Sequence, residues 1–489
     1  MSELEIPESW AGPKWSEIVD IQGGGQPPKS EFIEKPNKGY VRLLQIRDFE
    51  SDDKAVYIPE ARAPKTCKED DILIGRYGAS VGRVCTGKAG AYNVALVKCL
   101  FDRTILAPLY FKNFLKSQAF QRFIVSFERA AQGGFNKEDL AAFQVPLPPL
   151  GEQKRIVAKI EACFSKIDEI EKSVDSAEAL LKKYRESLLA KAFRGELVLQ
   201  DPKDEPASKM LERIRAERDG DTQGKKRKKD ELPPIDPDEV PFEIPKSWTL
   251  VRTSEACLEI QGGSTPEAKK LLNAGSVQFL KVYNLSFDGT LNNKVNPAFV
   301  SEHVNEADLR RSITLANDVL INIVGPPLGK VSIIPSDGRR YNHNQAIVHL
   351  RPSNCLDSIF LCHFFQTIYF RNWTAHNSKR TSGQANISVT SCREIIFPLP
   401  PLNEQKRIVA KIESCFAEID SIAGRLSQLR DTLKGQREAI LKNAFSGSLV
   451  PQDPSEGTGH ELLRAITQKT EPASSAAAQT KKPRKRAKV

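Results

Sequence analysis

The sequence lacks any apolar run that approaches the length of a membrane span, and it lacks the clustered residues that build metal and redox centres. Its nine cysteines are scattered without a C-x-x-C pair, which argues against a disulfide framework or a zinc site. The first ten residues, MSELEIPESW, are polar and acidic, which argues against a secretory signal. We therefore predict a cytoplasmic protein that holds no metal ion and does not bind a membrane.

Motifs for catalysis are also missing. The sequence has no Asn-Pro-Pro-aromatic motif of the kind that an adenine methyltransferase uses on a flipped base, and its six histidines form no obvious catalytic pair. The segment GRVCTGKA at 82–89 nearly matches a phosphate-binding loop, but Ala89 stands where a hydroxyl would hold Mg²⁺. We predict no catalytic residues and no cofactor in this chain, which points to recognition and assembly.

The positive charge is concentrated in two short runs. The formal net charge is +10, but KKRKK at 225–229 and KKPRKRAK at 481–488 carry all of the excess, and the rest of the chain is close to neutral. Such runs are typical of solvated linkers and tails, and they also attract phosphates without sequence preference. The charge alone is therefore weak evidence for nucleic-acid binding.

The chain contains one unit written twice. PLPPLGEQKRIVAKIE at 146–161 returns as PLPPLNEQKRIVAKIE at 398–413, and IPxSW and IQGG also occur once in each half. The stretches between IQGG and PLPP diverge between the halves. A variable block followed by a constant block, twice, indicates two modules that recognise different targets from one frame.

The constant block predicts a long helix in each half. Apolar residues alternate at steps of four and three after PLPP, which is the heptad pattern of a coiled coil, and Gly195 and Gly447 stand where C-terminal caps are expected. We expect Gly151 and Asn403 to act as N-caps. The two seams match in length and phase, so we favour antiparallel pairing within the chain over a coiled coil between chains. The predicted seam includes Ile156, Ile160, Ile167, Ile170, Ile408, Ile412, Ile419 and Ile422.

Together these patterns predict an α+β fold with a pseudo-two-fold internal repeat. Two mixed α/β domains are joined by two long helices that form an antiparallel coiled coil. The predicted segments are a first variable domain at 1–147, a first helix at 148–196, a linker with a basic run at 197–242, a second variable domain at 243–399, a second helix at 400–448, and a C-terminal segment with a basic tail at 449–489.

With these residues in view, the chain resembles the specificity subunits of type I restriction–modification systems. The resemblance rests on the repeated phrase before a heptad helix and on IPxSW at the start of each half, and it covers about residues 5 to 466. It implies that the variable domains are target recognition domains, each of which reads one half of a bipartite, asymmetric DNA site. It also implies that the coiled coil sets the gap between the half-sites.

The same resemblance implies partners and cofactors outside this chain. A specificity subunit has no catalytic activity of its own, and it recruits two modification subunits that methylate adenine with S-adenosylmethionine. Restriction subunits that translocate on DNA with ATP and Mg²⁺ join them. The implied partners are therefore double-stranded DNA, modification subunits and restriction subunits.

Loops in both variable domains carry residues suited to DNA. They combine arginine, lysine, asparagine, glutamine and glycine, which contact phosphates and base edges, although the same composition suits any exposed loop. The predicted DNA-binding residues are Arg76, Tyr77, Arg83, Arg129, Gln132, Asn136 and Lys137 in the first domain, and Lys330, Arg339, Arg340, Tyr341, Lys379, Arg380 and Gln384 in the second.

Two alternatives from other classes remain open at this stage. The chain could be a coiled-coil adaptor between proteins with no role on DNA, in which case random and bipartite-site duplexes would bind equally. It could also be a self-sufficient methyltransferase or nuclease, and methylation by this chain without partners would establish that.

Overall fold

Two compact units make up the chain. The computed structural model describes residues 5–63, 65–129, 134–220, 234–235, 243–381 and 384–470. One unit is Met1–Val174 with Ser427–Val489, and the other is Asp175–Leu426. Each unit therefore contains one variable domain and portions of both long helices. The two basic runs and Gln132 lie outside the described residues.

The first unit is built on two sheets beside short helices. Strands β1, β8, β5 and β6 form an antiparallel sheet in that order, and the second sheet has the order β3-β2-β7-β4 with β2 and β7 parallel. The strands are β1 (Val19–Gly23), β2 (Tyr40–Leu44), β3 (Val56–Pro59), β4 (Thr66–Cys67), β5 (Leu73–Gly75), β6 (Val84–Cys85), β7 (Gly90–Tyr92) and β8 (Leu96–Phe101). The short helices are α1 (Trp15–Ile18), α2 (Pro108–Lys116), α3 (Gln118–Val125) and α4 (Lys137–Ala141).

The second unit repeats this topology. Its antiparallel sheet has the order β10-β17-β13-β15, and a second sheet has the order β12-β11-β16 with β11 and β16 parallel. The strands are β9 (Thr249–Arg252), β10 (Cys257–Gly262), β11 (Val277–Leu280), β12 (Phe299–Val300), β13 (Val319–Asn322), β14 (Val324–Gly325), β15 (Val331–Ile333), β16 (Arg340–His343), β17 (Ile347–Pro352), β18 (Lys379–Thr381), β19 (Gln384–Asn386) and β20 (Ile396–Leu399). The prediction of two related mixed domains is confirmed, even where the sequences diverge.

The two predicted long helices are present. Helix α5 is Leu150–Phe193 and helix α12 is Leu402–Phe445, each of 44 residues. Both helices lie inside the predicted segments 148–196 and 400–448, and each begins before the residue that was expected as its N-cap. Gly151 and Asn403 therefore lie inside the first turn, and the prediction that they are N-caps is wrong.

The helices pair in an antiparallel sense within each unit. In the first unit, Ile156 and Ile160 of α5 share a core with Leu441 and Phe445 of α12. In the second unit, the C-terminal part of α5 and the N-terminal part of α12 share another core. The pairing satisfies the narrow apolar seams, each of which needs a partner helix.

Two positions of the predicted seam are exposed. Six of the eight predicted seam residues are buried, whereas Ile170 and Ile422 are 41% and 43% exposed. These two positions do not form the buried seam that the heptad pattern predicts. Tyr184 and Leu429, at later heptad positions, are also exposed, whereas Val174 and Leu433, at the next heptad positions after Ile170 and Leu429, are buried.

Glycine ends both long helices. Gly195 and Gly447 have φ of +74° and +76°, and the N–H groups of Glu196 and Ser448 bond the carbonyls of residues 191 and 443, as in a Schellman cap. A Cβ at Gly195 would lie 2.3 Å from Cγ of Pro245, and one at Gly447 would lie 2.2 Å from Cγ of Pro7. The predicted caps are confirmed, and each also receives the proline of an IPxSW segment.

The segment after α5 is more than the linker that the sequence predicts. Helix α6 (Ala207–Gly220) lies within 197–242, and its Ala207, Met210 and Ile214 are buried in the core of the second unit. The linker prediction for these residues is therefore wrong. The remaining helices are α7 (Thr253–Ala256), α8 (Glu302–Ala307), α9 (Ser358–Phe365), α10 (Ile368–Asn377), α11 (Val389–Arg393) and α13 (Gly459–Thr470). Among the described residues, no helix is both long enough and apolar enough to cross a membrane.

Candidate nucleic-acid interface

In the first domain, two predicted loops meet beside the end of β5. Tyr77 forms an isolated bridge with Gly134, and Arg76 Nε donates to the carbonyl of Phe135 at 2.7 Å. The Arg76 guanidinium also lies 5.0 Å from the centroid of the Tyr77 ring, which is 40% exposed. A cation beside an exposed aromatic ring can contact both a phosphate and a base face.

The second domain has a small sheet at the corresponding place. Strand β14 pairs with β19, which pairs in turn with β18, so the predicted residues of this hairpin lie on backbone adjoining the loop after β13. Asn322 Nδ2 donates to the carbonyls of Val324 and Pro327, and its Oδ1 accepts from the N–H of Lys330. The structure therefore brings the Lys330 loop and the hairpin together, as it does the two loops of the first domain.

Several predicted basic side chains have acidic partners. Arg83 pairs with Glu50 at 2.8 Å, Lys137 with Asp20 at 2.7 Å, and Arg340 with Glu306 at 3.0 Å. The bond from Lys137 lowers the pKa of Asp20. Exposed pairs of this kind stabilise a fold by about 0–1 kcal/mol, so a phosphate can replace the carboxylate at little cost. Two further predicted cations also have partners: Lys330 Nζ donates to the carbonyl of Val282 at 3.3 Å, and Arg339 lies 3.8 Å from Asp337.

Two predicted DNA-binding residues have structural roles. Tyr341 is 1% exposed in a core cluster, and its hydroxyl donates to Asp337 Oδ2 at 2.7 Å. The prediction that Tyr341 contacts DNA is therefore wrong, because its ring has no open face. Asn136 Oδ1 accepts from the N–H of Asp139 and so caps α4, while Ser388 caps α11 at the matching place in the second domain.

Five predicted DNA-binding residues lie wholly or partly outside the part of the chain that the structure describes. They are Gln132 and the side chains of Arg129, Lys379, Arg380 and Gln384. Arg339, Arg340 and Tyr341 belong to the loop before β16 and to β16 itself, so they sit apart from the β14–β19–β18 sheet.

The sequence prediction missed a repeated turn that holds each interface loop. The N–H of Arg76 donates to Ala95, and the N–H of Ile323 donates to Ala346, both at 2.8 Å. These acceptors lie in YNVAL and HNQAI, a weak internal repeat that a finer comparison of the halves could have found. Burial beside His349 lowers the pKa of His343 in the second turn to about 3, so this histidine stays neutral.

The glycines of the IQGG segments explain why that motif is repeated. A Cβ at Gly24 would lie 2.1 Å from the carbonyl oxygen of Asn93, and one at Gly263 would lie 2.0 Å from that of Asn344. The first sheet strand and the interface turn therefore approach too closely for any side chain. This contact fixes the position of the turn, and the turn holds the loop that carries Arg76.

The repeated phrase forms the joint between each domain and its helix. Gln153, which is fully buried, accepts at Oε1 from the N–H of Ala107 at 2.8 Å and donates from Nε2 to the carbonyls of Ile105 and Pro148 at 2.8 and 3.0 Å. Gln405 makes the matching three bonds in the second unit. A buried amide with all its bonds satisfied holds the helix at a fixed angle to the domain.

Charged residues of the same phrase complete the joint. Arg155 binds Glu456 bidentately at 2.8 and 3.1 Å, and Arg407 binds Asp204 at 2.8 Å, so each helix start is tied to the segment that follows the other helix. Glu152 is 1% exposed and accepts from Trp10 Nε1 at 3.0 Å. Burial raises the pKa of Glu152 above its ordinary value.

All nine cysteines of the chain are free thiols. Cys163 is partly buried and the other eight cysteines are buried, and burial raises the pKa of Cys85 to about 11 and that of Cys362 to about 12. Within the described ranges, no group of three or more histidine, cysteine, aspartate or glutamate residues could hold a metal ion.

A family model described as "Type I restriction modification DNA specificity domain" matches residues 7–178 and again 245–431. The chain belongs to this family. The specificity subunit of the type I restriction enzyme EcoBI from Escherichia coli is 23% identical over 95% of this chain and 92% of its own length. The StySPI specificity subunit of Salmonella potsdam is 21% identical over 96% of both chains.

Solved structures show the same fold. The HsdS subunit from Thermoanaerobacter tengcongensis superposes with a TM-score of 0.51 at 17% identity, over 91% of this chain and 99% of its own. A chain from a structure titled "Structural basis underlying complex assembly and conformational transition of the type I R-M system" superposes with a TM-score of 0.66 at 18% identity, with the same coverage. The specificity subunit described here is thus non-catalytic, and its role is in DNA sequence specificity, as the family and the names of its relatives indicate.

Proposed function

We propose that the two variable domains read different halves of one bipartite, asymmetric DNA site, and that the paired helices set the gap between the halves. The observation that carries this proposal is that the same scaffold presents different chemistry. Arg76 and Tyr77 in the first domain occupy the places of Ile323 and Val324 in the second, since the N–H groups of Arg76 and Ile323 bond matching carbonyls. Different side chains on equal frames read different bases.

The DNA contacts belong to this proposal as well. We infer that Arg76, Tyr77, Arg83, Lys137, Lys330, Arg339 and Arg340, with Arg129, Gln132, Lys379, Arg380 and Gln384, provide phosphate and base contacts. Both readers then face one side of the duplex, with half-site centres about one helical turn apart.

We further propose that the subunit recruits two modification subunits and the restriction subunits, in the cytoplasm. The modification subunits would use S-adenosylmethionine to methylate adenine, and the restriction subunits would use ATP and Mg²⁺ to translocate and cleave DNA. The support is the membership of the family, together with a sequence that contains no Asn-Pro-Pro-aromatic motif of its own.

Methylome sequencing of cells with and without this gene tests the proposal. Loss of the gene should remove one gapped, two-part adenine motif. Exchanging residues 20–145 for the corresponding block of a relative should change only one half of that motif, and a change in both halves would contradict the modular reading. Deleting one heptad from a single long helix should alter the gap or abolish methylation, and an unaltered gap would contradict the measuring role.

A further inference from the structure

Each long helix carries an arginine that contacts the other long helix. In the second unit, the Arg185 guanidinium of α5 lies 4.1 Å from the ring centroid of Phe416 of α12. Its Nη2 also donates to Asp420 Oδ1 at 2.7 Å. The planar arginine therefore has a π face on one side and an acceptor at its edge, an arrangement that lysine reproduces poorly.

The first unit contains the same arrangement with the helices exchanged. The Arg437 guanidinium of α12 lies 5.1 Å from the ring centroid of Phe164 of α5, and Arg437 donates to Asp168 and, at 3.0 Å, to Glu171 Oε2. Arg437 stands 252 residues after Arg185. Phe416 and Asp420 likewise stand 252 residues after Phe164 and Asp168. We call these two groups, Arg185–Phe416–Asp420 and Arg437–Phe164–Asp168, the arginine clamps.

The clamps discriminate between registers that the heptad pattern treats alike. Sliding one helix by a heptad keeps apolar positions opposite apolar positions. The clamps do not survive such a slide, because Arg185 would then face Val409 and Glu413, or Ala423 and Ser427, in place of the aromatic–acid pair. Of these three registers, only the observed one places the aromatic ring opposite the arginine.

Apolar packing leaves room for such a device. Ile170 and Ile422, in the middle of the predicted seam, are 41% and 43% exposed, and Tyr184 just before the first arginine is 53% exposed. The first clamp also reaches the second domain, since the ring of His363 packs edge-on to Phe416 with centroids 5.6 Å apart. Specificity of helix register often comes from a few polar contacts where apolar contacts are permissive.

We propose that the arginine clamps are the positioning residues that hold α5 and α12 in one register, and that they thereby make the subunit selective for one gap length between its half-sites. This proposal rests on the proposed function. The clamps touch neither DNA nor a reacting atom; they act by excluding neighbouring helix registers and twists. Their loss should leave both half-sites unchanged and relax the gap.

The test uses the full chain expressed with its modification subunits in cells that carry a library of sites. Both half-sites are kept in the library while the gap is varied by one to three base pairs, and adenine methylation is read by sequencing. Wild-type protein should prefer one gap. The double variant Arg185→Ala/Arg437→Ala should lose about tenfold of this preference over the neighbouring gaps, as expected for loss of two cation–π and ion-pair contacts.

Matched variants separate the clamps from a general weakening of the helices. Arg425 is an exposed arginine of α12 whose Nη2 lies 3.4 Å from Ser421 Oγ of its own helix, so Arg425→Ala should leave the gap preference intact. Arg185→Lys/Arg437→Lys keeps both charges but loses the stacked plane, so about threefold of the preference should be lost. This second variant decides the matter if the alanine variant does not fold.

The outcomes distinguish the two proposals. Suppose that the wild-type motif is gapped and that the folded alanine variant keeps the wild-type gap preference. This result would overturn the proposed role of the clamps and leave the proposed function standing. If the alanine variant is unfolded, the lysine variant is judged in the same way. An equal loss in Arg425→Ala would also overturn them. A wild-type methylation motif that is contiguous, without a gap, would overturn the proposed function together with the inference built on it.

Discussion

Replacing Gln153 with alanine should destabilise the joint between the first domain and α5. The substitution removes the partner of three backbone groups, namely the carbonyls of Ile105 and Pro148, which are buried, and the N–H of Ala107, which is partly buried. Leaving a buried polar group unsatisfied costs about 1–3 kcal/mol, so the free energy of unfolding should fall by about 3 kcal/mol or more. The second unit offers an independent copy, because Gln405→Ala removes the partners of three matching groups.

Denaturant unfolding followed by tryptophan fluorescence measures this effect. Each unit contains two of the four tryptophans, so the unfolding of either unit changes the fluorescence. Lys154→Ala is the control, since this neighbouring side chain is exposed and its loss should change the free energy of unfolding by less than about 0.5 kcal/mol. A loss below about 1 kcal/mol for both glutamine variants would refute the argument that the repeated phrase is a hydrogen-bonded joint.

Other changes test further contacts. Burial raises the pKa of Glu152 in the folded state, so ionisation of this carboxyl opposes folding. Glu152→Gln should therefore increase the free energy of unfolding over the parent fully above the folded-state pKa, and the gain should shrink as the pH falls through that pKa toward the unfolded-state pKa. Thermal melts across a pH series would show this, and a gain that grows toward low pH would contradict the sign. Gly195→Ala should lower the free energy of unfolding more than Gly39→Ala does, as measured by denaturant titration. Both glycines have positive φ, but a Cβ at Gly39 meets no atom within 4 Å. Equal losses would argue against the contact between Gly195 and the proline of the IPxSW segment. Tyr341→Phe should lower the free energy of unfolding by about 1 kcal/mol and leave the methylated motif unchanged. Tyr77→Ala should weaken methylation and change the melting temperature only slightly. The reverse pattern would support Tyr341 as a DNA contact.

Local patterns were sufficient for the large elements. The heptad steps and the two capping glycines placed the ends of α5 and α12 to within about three residues, because helix period and a left-handed C-cap depend on neighbours along the chain. The N-caps of α3 and α10 also have a local origin, since the side chains of Ser117 and Thr367 accept from the N–H groups of Phe120 and Phe370 three residues later.

The candidate interface depended on contacts between distant segments. Nothing local distinguishes Tyr77, which is exposed, from Tyr341, which is buried, because both tyrosines lie near basic residues and a turn. The burial of Tyr341 follows from its place on β16, which pairs with β11 about sixty residues earlier in the chain. The basic residues likewise acquire acidic partners such as Glu50 and Glu306 only in the folded chain.

The sequence by itself determined the duplication, the two long helices and the family, because each of these is written as a repeat or a period along the chain. The tertiary structure decided which side chains of the loops reach the surface, that α6 belongs to a core, and that the seam opens at Ile170 and Ile422. It also decided that each helix start is tied to the segment after the other helix, through Arg155 and Arg407. Burial and pairing bring together residues that lie hundreds of positions apart in the sequence, and a pattern among neighbouring residues does not predict which distant segments meet.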